Sequence, residues 1–218
     1  MYQEFPAYNI SHFYSPKEKK PTVVFCIPGN NFSSSFVNGW TSTLFYLINN
    51  PSFLQPRYMN SNSSNTNQEL FEVLEPVNAD NKVKLFGGSW DYEFAFIINP
   101  RCKFDIQQVL HLFYEICHNK EFNVLSALVH ENDESNIYKN GEKIAKSTID
   151  TNLSQIRYIE ADAIDFDFVL IKNEILELVD FSVFDSENIS VELSKQIYEA
   201  GFAIHISKEI VIEKERAS

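Results

Sequence analysis

The apolar and polar positions in the first half of the chain follow two different periods. Thr22–Pro28 is an unbroken apolar run, which is typical of a strand buried on both faces of a parallel sheet. After a turn at Gly29–Asn31, apolar residues recur at helical spacing from Phe36 to Ile48. A second apolar run, Phe94–Ile98, is followed by Asp105, a residue type that often caps a helix. The pattern therefore predicts strands that alternate with helices.

The second half of the chain combines short strands with helices. Asn140-Gly141 lies between alternating residues, which is the strongest short signal for a β-hairpin. Ser190 is predicted to cap a helix that ends at Gly201, and Phe202–Ile206 and Glu209–Ile212 are expected as two short closing strands. Together the two halves predict an α/β fold with a mixed, mainly parallel sheet flanked by helices.

The 218 residues are expected to form one domain, residues 21–218, preceded by an N-terminal arm, residues 1–20. Hydrophobic residues make up 44% of the chain, which is enough for a sizeable core. The arm carries five aromatic residues, Tyr2, Phe5, Tyr8, Phe13 and Tyr14. These side chains would be exposed if the arm contacted nothing, so we expect a protein partner or self-association through the arm.

The charge and the cysteines narrow the class of protein. A formal net charge of −12 repels phosphate backbones, so nucleic-acid binding is not expected. No apolar run has the roughly 20 residues of a membrane span, and no signal peptide is visible. Three cysteines give no disulfide framework, and we expect a cytoplasmic protein with Cys26 and Cys117 buried. His111 and His118 are expected at the surface or at a helix end.

Three predicted strands end in residues that could bind a ligand. These ends are Pro28-Gly29-Asn30, Asn99-Pro100-Arg101 and Glu160-Ala161-Asp162. Ligands of open α/β sheets bind beyond the carboxyl ends of the strands, although the same residue types also serve in ordinary turns. Asp165 and Asp167 alternate with phenylalanines. They are therefore either the solvent face of a strand or the lining of an acceptor pocket or cation site.

Taken in order, these segments resemble the GT-A-fold glycosyltransferases, the nucleotide-diphospho-sugar transferase superfamily, and particularly its small stand-alone viral and phage forms. The resemblance covers roughly residues 22–215 and is carried by residues 23–47, 91–113, 161–177 and 186–215. It implies a nucleotide sugar bound by Pro28, Gly29, Asn30, Asn99 and Arg101. If the source is viral, host cytoplasm or a virion is the expected location.

The chain departs from the family at the positions that carry its chemistry. The family's Asp-x-Asp motif, which holds Mn²⁺ or Mg²⁺ against the diphosphate, is Asn99-Pro100-Arg101 here. A further metal ligand of the family falls near Glu213. The family's Glu-Asp pair, which supplies a catalytic base, is Glu187-Asn188. The metal motif is therefore absent, and neither cation is firmly implied as a cofactor.

Two hypotheses follow from these departures. In the first, the Arg101 guanidinium replaces the metal by pairing with diphosphate oxygens, and the protein is a metal-independent transferase. The catalytic base would then be Asp162 or Glu187, with Asp165 and Asp167 as further candidates. In the second, catalysis is lost and the domain has a structural or protein-interaction role, for example in a viral particle.

Overall fold

The computed structural model describes residues 22–51, 55–61, 66–74, 92–152, 156–181, 184 and 189–216. The N-terminal arm and Glu187 lie outside these ranges, so the predictions made for them stay predictions. Eleven strands are described: β1 Thr22–Ile27, β2 Gln55–Asn60, β3 Phe94–Ile98, β4 Cys102–Lys103, β5 Val124–Glu131, β6 Glu134–Lys139, β7 Glu142–Ala145, β8 Tyr158–Ala161, β9 Ala163–Ile164, β10 Phe168–Lys172 and β11 Ile204–Lys214. The helices are α1 Ser34–Asn49, α2 Thr66–Leu74, α3 Ile106–His118, α4 Lys146–Asn152, α5 Asn173–Leu176 and α6 Ile189–Glu199.

All the described strands belong to one mixed sheet, whose central order is β2-β1-β3-β10-β5-β11-β4. Pairing is parallel for β1 with β2, β1 with β3, and β5 with β11. The other described pairs are antiparallel. The α/β class and the mixed sheet are confirmed, whereas parallel pairs are fewer than the sequence suggested. The reason is that β10 enters between β3 and β5 in the opposite direction, and the hairpin strands add antiparallel edges.

Helices cover both faces of the sheet, which explains the unbroken apolar run of β1. Val24 and Cys26 belong to a core cluster that includes apolar residues of α2, α5 and α6. Val23, Phe25 and Ile27 belong to a second cluster that includes residues of α1 and α3. Every residue of β1 is buried, as expected for a strand between two helical layers.

Local sequence signals explain several element boundaries. Asp105 caps α3 in a capping box, because its side chain accepts from Gln108 N while the Gln108 side chain accepts from Asp105 N. The predicted hairpin joins β6 to β7, and both Asn140 and Gly141 adopt a positive φ. None of the described helices is long and apolar enough to cross a bilayer.

Four expectations are corrected by the structure. The closing segment is one strand, β11, rather than two, because the residues between Ser207 and Val211 form an irregularity while the strand continues along β5. Helix α6 begins at Ile189, so Ser190 lies inside it, and its backbone carbonyl accepts a hydrogen bond from the Ser194 hydroxyl. Cys117 is exposed, although Cys26 is buried as expected. His111 is buried, because α3 turns this face toward β11.

Candidate functional site

A cavity of about 210 Å³ lies at the carboxyl ends of β1 and β3. Its walls also come from α2, the β6–β7 hairpin, the segment before β10 and the end of β11. The lining residues are Pro28, Glu69, Leu70, Asn99, Lys143, Asp165, Phe166, Asp167, Ser190 and Lys214. Ligand sites of open α/β sheets occupy this position, so the cavity is the candidate functional site.

A buried polar network ties the end of β3 to the end of β11. Asn99 donates from Nδ2 to Asp167 Oδ1 at 2.8 Å, and its backbone N donates to the Asp167 carbonyl at 2.7 Å. Lys214 Nζ lies 3.1 Å from each oxygen of the Asp167 carboxylate and 3.2 Å from Glu131 Oε2. The ammonium group is thus held by the same carboxylate that Asn99 binds.

Burial and charge set the protonation of this network. Burial raises the pKa of Asp167, and the neighbouring Lys214 ammonium opposes that rise without cancelling it. For Lys214, burial alone would lower the pKa, but the charges of Asp167 and Glu131 outweigh burial and raise it. Lys214 therefore carries a permanent positive charge at neutral pH.

A second cation lies on the hairpin side of the cavity. Lys143 Nζ is 2.8 Å from Asp165 Oδ2, and the Tyr138 hydroxyl donates to Asp165 Oδ1 at 3.0 Å. Burial alone would lower the pKa of Lys143, but the hydrogen bond and charge of Asp165 raise it. Both side chains are partly accessible, so this pair can open toward an incoming ligand more easily than the Asp167–Lys214 pair.

The end of β1 forms the third wall. Gly29 N donates to Ser61 Oγ at 2.7 Å, which joins the loop after β1 to the end of β2. The Glu69 carboxylate of α2 packs so closely on Gly29 that an added Cβ would lie 2.7 Å from Glu69 Oε1. Burial and the neighbouring Glu72 raise the pKa of Glu69, while Arg101 acts in the opposite direction.

The structure brings some of the predicted site residues together and separates others. Pro28 and Asn99 line the cavity, and Gly29 adjoins it through Glu69. Asn30 is exposed on the loop that follows. Arg101 is not a lining residue, because its Nη1 bonds Glu131 Oε1 at 3.4 Å and the Glu215 carbonyl at 3.3 Å. Asp162 accepts from Asn140 N at 2.9 Å on the exposed side of the hairpin.

The residues at the metal-motif position do not fit a Mn²⁺ or Mg²⁺ ion. Asn99 uses both ends of its amide within the protein, since Oδ1 accepts from Arg101 N at 3.0 Å while Nδ2 binds Asp167. Glu213 is exposed and paired with Lys103 on another face. The Asp167 carboxylate is already paired with Lys214. A divalent cation at the end of β3 would therefore meet an ammonium group instead of free carboxylates.

Sequence reasoning missed three charged residues of the site, and each comes from a distant part of the chain. Lys214 alternates with the exposed Glu213 in β11, so only the strand's pairing shows which of the two faces inward. Lys143 follows the hairpin turn, and Glu69 lies on α2. Asp165 and Asp167 are not the solvent face of a strand: they precede β10 and line the cavity.

Comparisons with known proteins identify the fold. No known protein family matches the chain, and no curated protein matches it in sequence. The crystal structure of GalNAc-T7 with UDP, GalNAc and Mn²⁺ is similar at a TM-score of 0.55 and 11% identity; the match covers 93% of this chain and 45% of that one. The crystal structure of A197 from STIV gives a TM-score of 0.49 at 12% identity, and the match covers 91% of this chain and 95% of that one. Together with the site's position in the sheet, the likeness to GalNAc-T7 shows that this chain has a GT-A-like α/β fold.

Proposed function

We propose that this protein is a glycosyltransferase-like protein that binds a nucleotide sugar at the carboxyl ends of β1 and β3, with lysines in place of a metal ion. The observation that carries the proposal is that Lys214 and Asn99 bind the same carboxylate, Asp167, and line the same cavity, where the family's Asp-x-Asp motif would hold a cation. An ammonium group donates charged hydrogen bonds to phosphate oxygens and needs no divalent ion to do so.

Lys143 and Arg101 supply further positive charge to the diphosphate. Lys143 lines the cavity, and a diphosphate would replace Asp165 as its partner because both side chains are partly accessible. Arg101 lies outside the cavity lining, but its charge lowers the pKa of both Glu69 and Lys214, which line the cavity. Arg101 therefore contributes positive charge at a distance, and the two lysines contact the diphosphate directly.

The size and the acids of the cavity suggest how the donor is arranged. Its volume of about 210 Å³ is below the roughly 300–1,000 Å³ of sites that enclose a whole ligand. It would thus hold the diphosphate and sugar, with the nucleoside extending past Gly29 and Glu69. Asp165 is the acid best placed to meet an acceptor hydroxyl, since Asp162 lies outside the lining.

Calorimetric titration with UDP-, GDP- and CMP-sugars, each in EDTA and in Mn²⁺, tests the proposal. We expect one nucleotide sugar to bind in EDTA, with an affinity that Mn²⁺ changes by less than tenfold. Lys143→Met should weaken it by about 10- to 100-fold, the effect of losing a charged hydrogen bond. Lys103→Met is the matched control, because Lys103 is exposed and lies outside the cavity.

Two results would contradict the proposal. Failure of every nucleotide sugar to bind, with or without Mn²⁺, would remove the donor site altogether. Binding that requires Mn²⁺ would keep the donor site and reject the role of the lysines.

A further inference from the structure

A cluster of a histidine and two glutamates lies apart from the candidate site, between α3 and β11. His111 and Glu115 are one helical turn apart on α3 and are only 4% and 1% exposed. Glu209 comes from the irregular segment of β11, between Ser207 and Val211. A separate cavity of about 220 Å³ adjoins the cluster and is lined by Gln107, Gln108, His111, Glu209, Ile210 and Val211. None of these residues lines the first cavity.

The side chains converge on a small volume. His111 Nε2 lies 3.2 Å from Glu115 Oε1 and 3.6 Å from Glu209 Oε2. The three potential ligand atoms all lie within 4.8 Å of one another. A tetrahedral zinc ion with ligands at about 2.0–2.1 Å separates those ligands by about 3.3 Å. The two measured separations from His111 are close to that value.

We propose that His111, Glu115 and Glu209 form a binding site for a divalent transition metal, best matched by Zn²⁺. One imidazole nitrogen and two carboxylate oxygens are ligands that zinc accepts, and the adjoining cavity leaves room for a water molecule as a fourth ligand. The irregularity in β11 has a role in this arrangement, because bulged segments redirect side chains that a regular strand would turn away.

Arg157 is the counterion that the metal would replace. Its Nη2 lies 3.1 Å from Glu115 Oε1 and 2.9 Å from Glu209 Oε2, between the two carboxylates. Two carboxylates and one guanidinium carry a summed charge of −1, whereas two carboxylates and a divalent ion sum to zero. The Arg157 side chain is 51% exposed, so it can move into solvent, and the contact it gives up besides the two carboxylates is with the Tyr158 ring, whose centroid lies 5.2 Å from its guanidinium carbon.

A second observation also points to a missing ligand. Glu115 Oε2 is fully buried and makes no hydrogen bond within the described part of the chain. The Ser207 hydroxyl is likewise buried and makes no hydrogen bond within the described part of the chain. Buried carboxylate oxygens are rarely left without a partner, and bidentate coordination by Glu115 would provide one, with the ion then becoming five-coordinate.

Calorimetric titration of the full chain with Zn²⁺ alone tests the site. Co²⁺ serves as a probe, because its absorption spectrum distinguishes four- and five-coordinate protein sites from the octahedral ion in water. We expect one ion per chain, at least tenfold weaker binding by Glu209→Gln, and tighter binding by Arg157→Gln, which removes the competing cation. Glu209 is partly exposed, so its substitution should leave the protein folded.

Matched controls separate this site from adventitious binding. His118→Gln changes an exposed histidine on the same helix, and Glu213→Gln changes an exposed acid on the same strand; both should bind Zn²⁺ as the natural chain does. Absence of stoichiometric binding to the natural chain would overturn the proposal, and so would unchanged binding by Glu209→Gln. The readout contains no nucleotide sugar, so its outcome is independent of the proposed donor site.

Discussion

Lys214→Met tests the buried ion pair on which the candidate site depends. The substitution keeps most of the side-chain volume and removes the charge that lies 3.1 Å from both Asp167 oxygens. Removing one partner of a buried pair costs about 3–5 kcal/mol, because the remaining charge is left uncompensated. For a domain of this size, with a urea m-value of about 2–3 kcal/mol/M, the unfolding midpoint should fall by about 1–2.5 M.

The pH dependence of that loss identifies its cause. Burial already holds the pKa of Asp167 above its ordinary value, and loss of Lys214 should raise it further. An acid whose pKa is raised in the folded state destabilises the fold at any pH above the pKa that the acid has in the unfolded chain. The deficit of Lys214→Met against the natural protein should therefore be largest at neutral pH. It should shrink as the pH falls through the folded pKa of Asp167, where the carboxyl becomes neutral.

Urea unfolding followed by tryptophan fluorescence at several pH values measures both effects. The double variant Asp167→Asn/Lys214→Met removes both charges and should return to within about 1 kcal/mol of the natural protein. Lys103→Met breaks an exposed pair whose side chains are 62% and 73% accessible, and it should cost at most about 1 kcal/mol. A loss below about 1 kcal/mol for Lys214→Met at neutral pH, or a loss that does not change with pH, would refute the reasoning.

Two further predictions concern packing and association. Gly39→Ala should destabilise the domain by about 1–3 kcal/mol in the same urea assay, because the added Cβ would overlap the Phe104 carbonyl oxygen. The cost of this overlap should exceed the gain in helix propensity, and equal stability of the variant would show that α1 can shift. Removing residues 1–20 should reduce the number of chains per particle, as measured by light scattering, if the arm mediates self-association. Phe45 and Ile48, both largely exposed on the uncharged helix α1, offer an apolar surface for such a contact. An unchanged number of chains per particle would contradict the expectation.

The elements that could be predicted from the sequence are those with a local cause. Strands β1 and β3 are buried on both faces and read as unbroken apolar runs. Helix α3 has its capping box, and the β6–β7 hairpin has Asn140-Gly141 at its turn. The misjudged features depend on tertiary pairing. The polar residues after Ser207 look like the end of a strand, yet β11 continues because β5 pairs with it on both sides of the irregularity.

The residues of the candidate site also fall into those that follow predictable strands and those that tertiary pairing brings together. Pro28 and Asn99 follow predictable strands, so the rule that ligands bind beyond strand ends placed them together. The cations and acids opposite them come from the hairpin, from the segment before β10 and from β11. No spacing in the sequence relates Lys143 to Asp165 or Lys214 to Asp167, because antiparallel pairing and the return of β11 bring them together.

Under the proposed function, the charges at the end of β3 would allow a domain without the Asp-x-Asp motif to keep the electrostatics that a diphosphate requires. Carboxylates at that position would need a divalent ion to become attractive to phosphate. Asn99 instead uses its amide to orient Asp167, and Asp167 in turn holds the Lys214 ammonium beside the cavity. The positive charge is then part of the chain itself. The attraction of this charge for phosphate would depend on the Asp167–Lys214 geometry instead of the concentration of free metal. The stability of Lys214→Met and nucleotide-sugar binding in EDTA therefore both test the same ion pair.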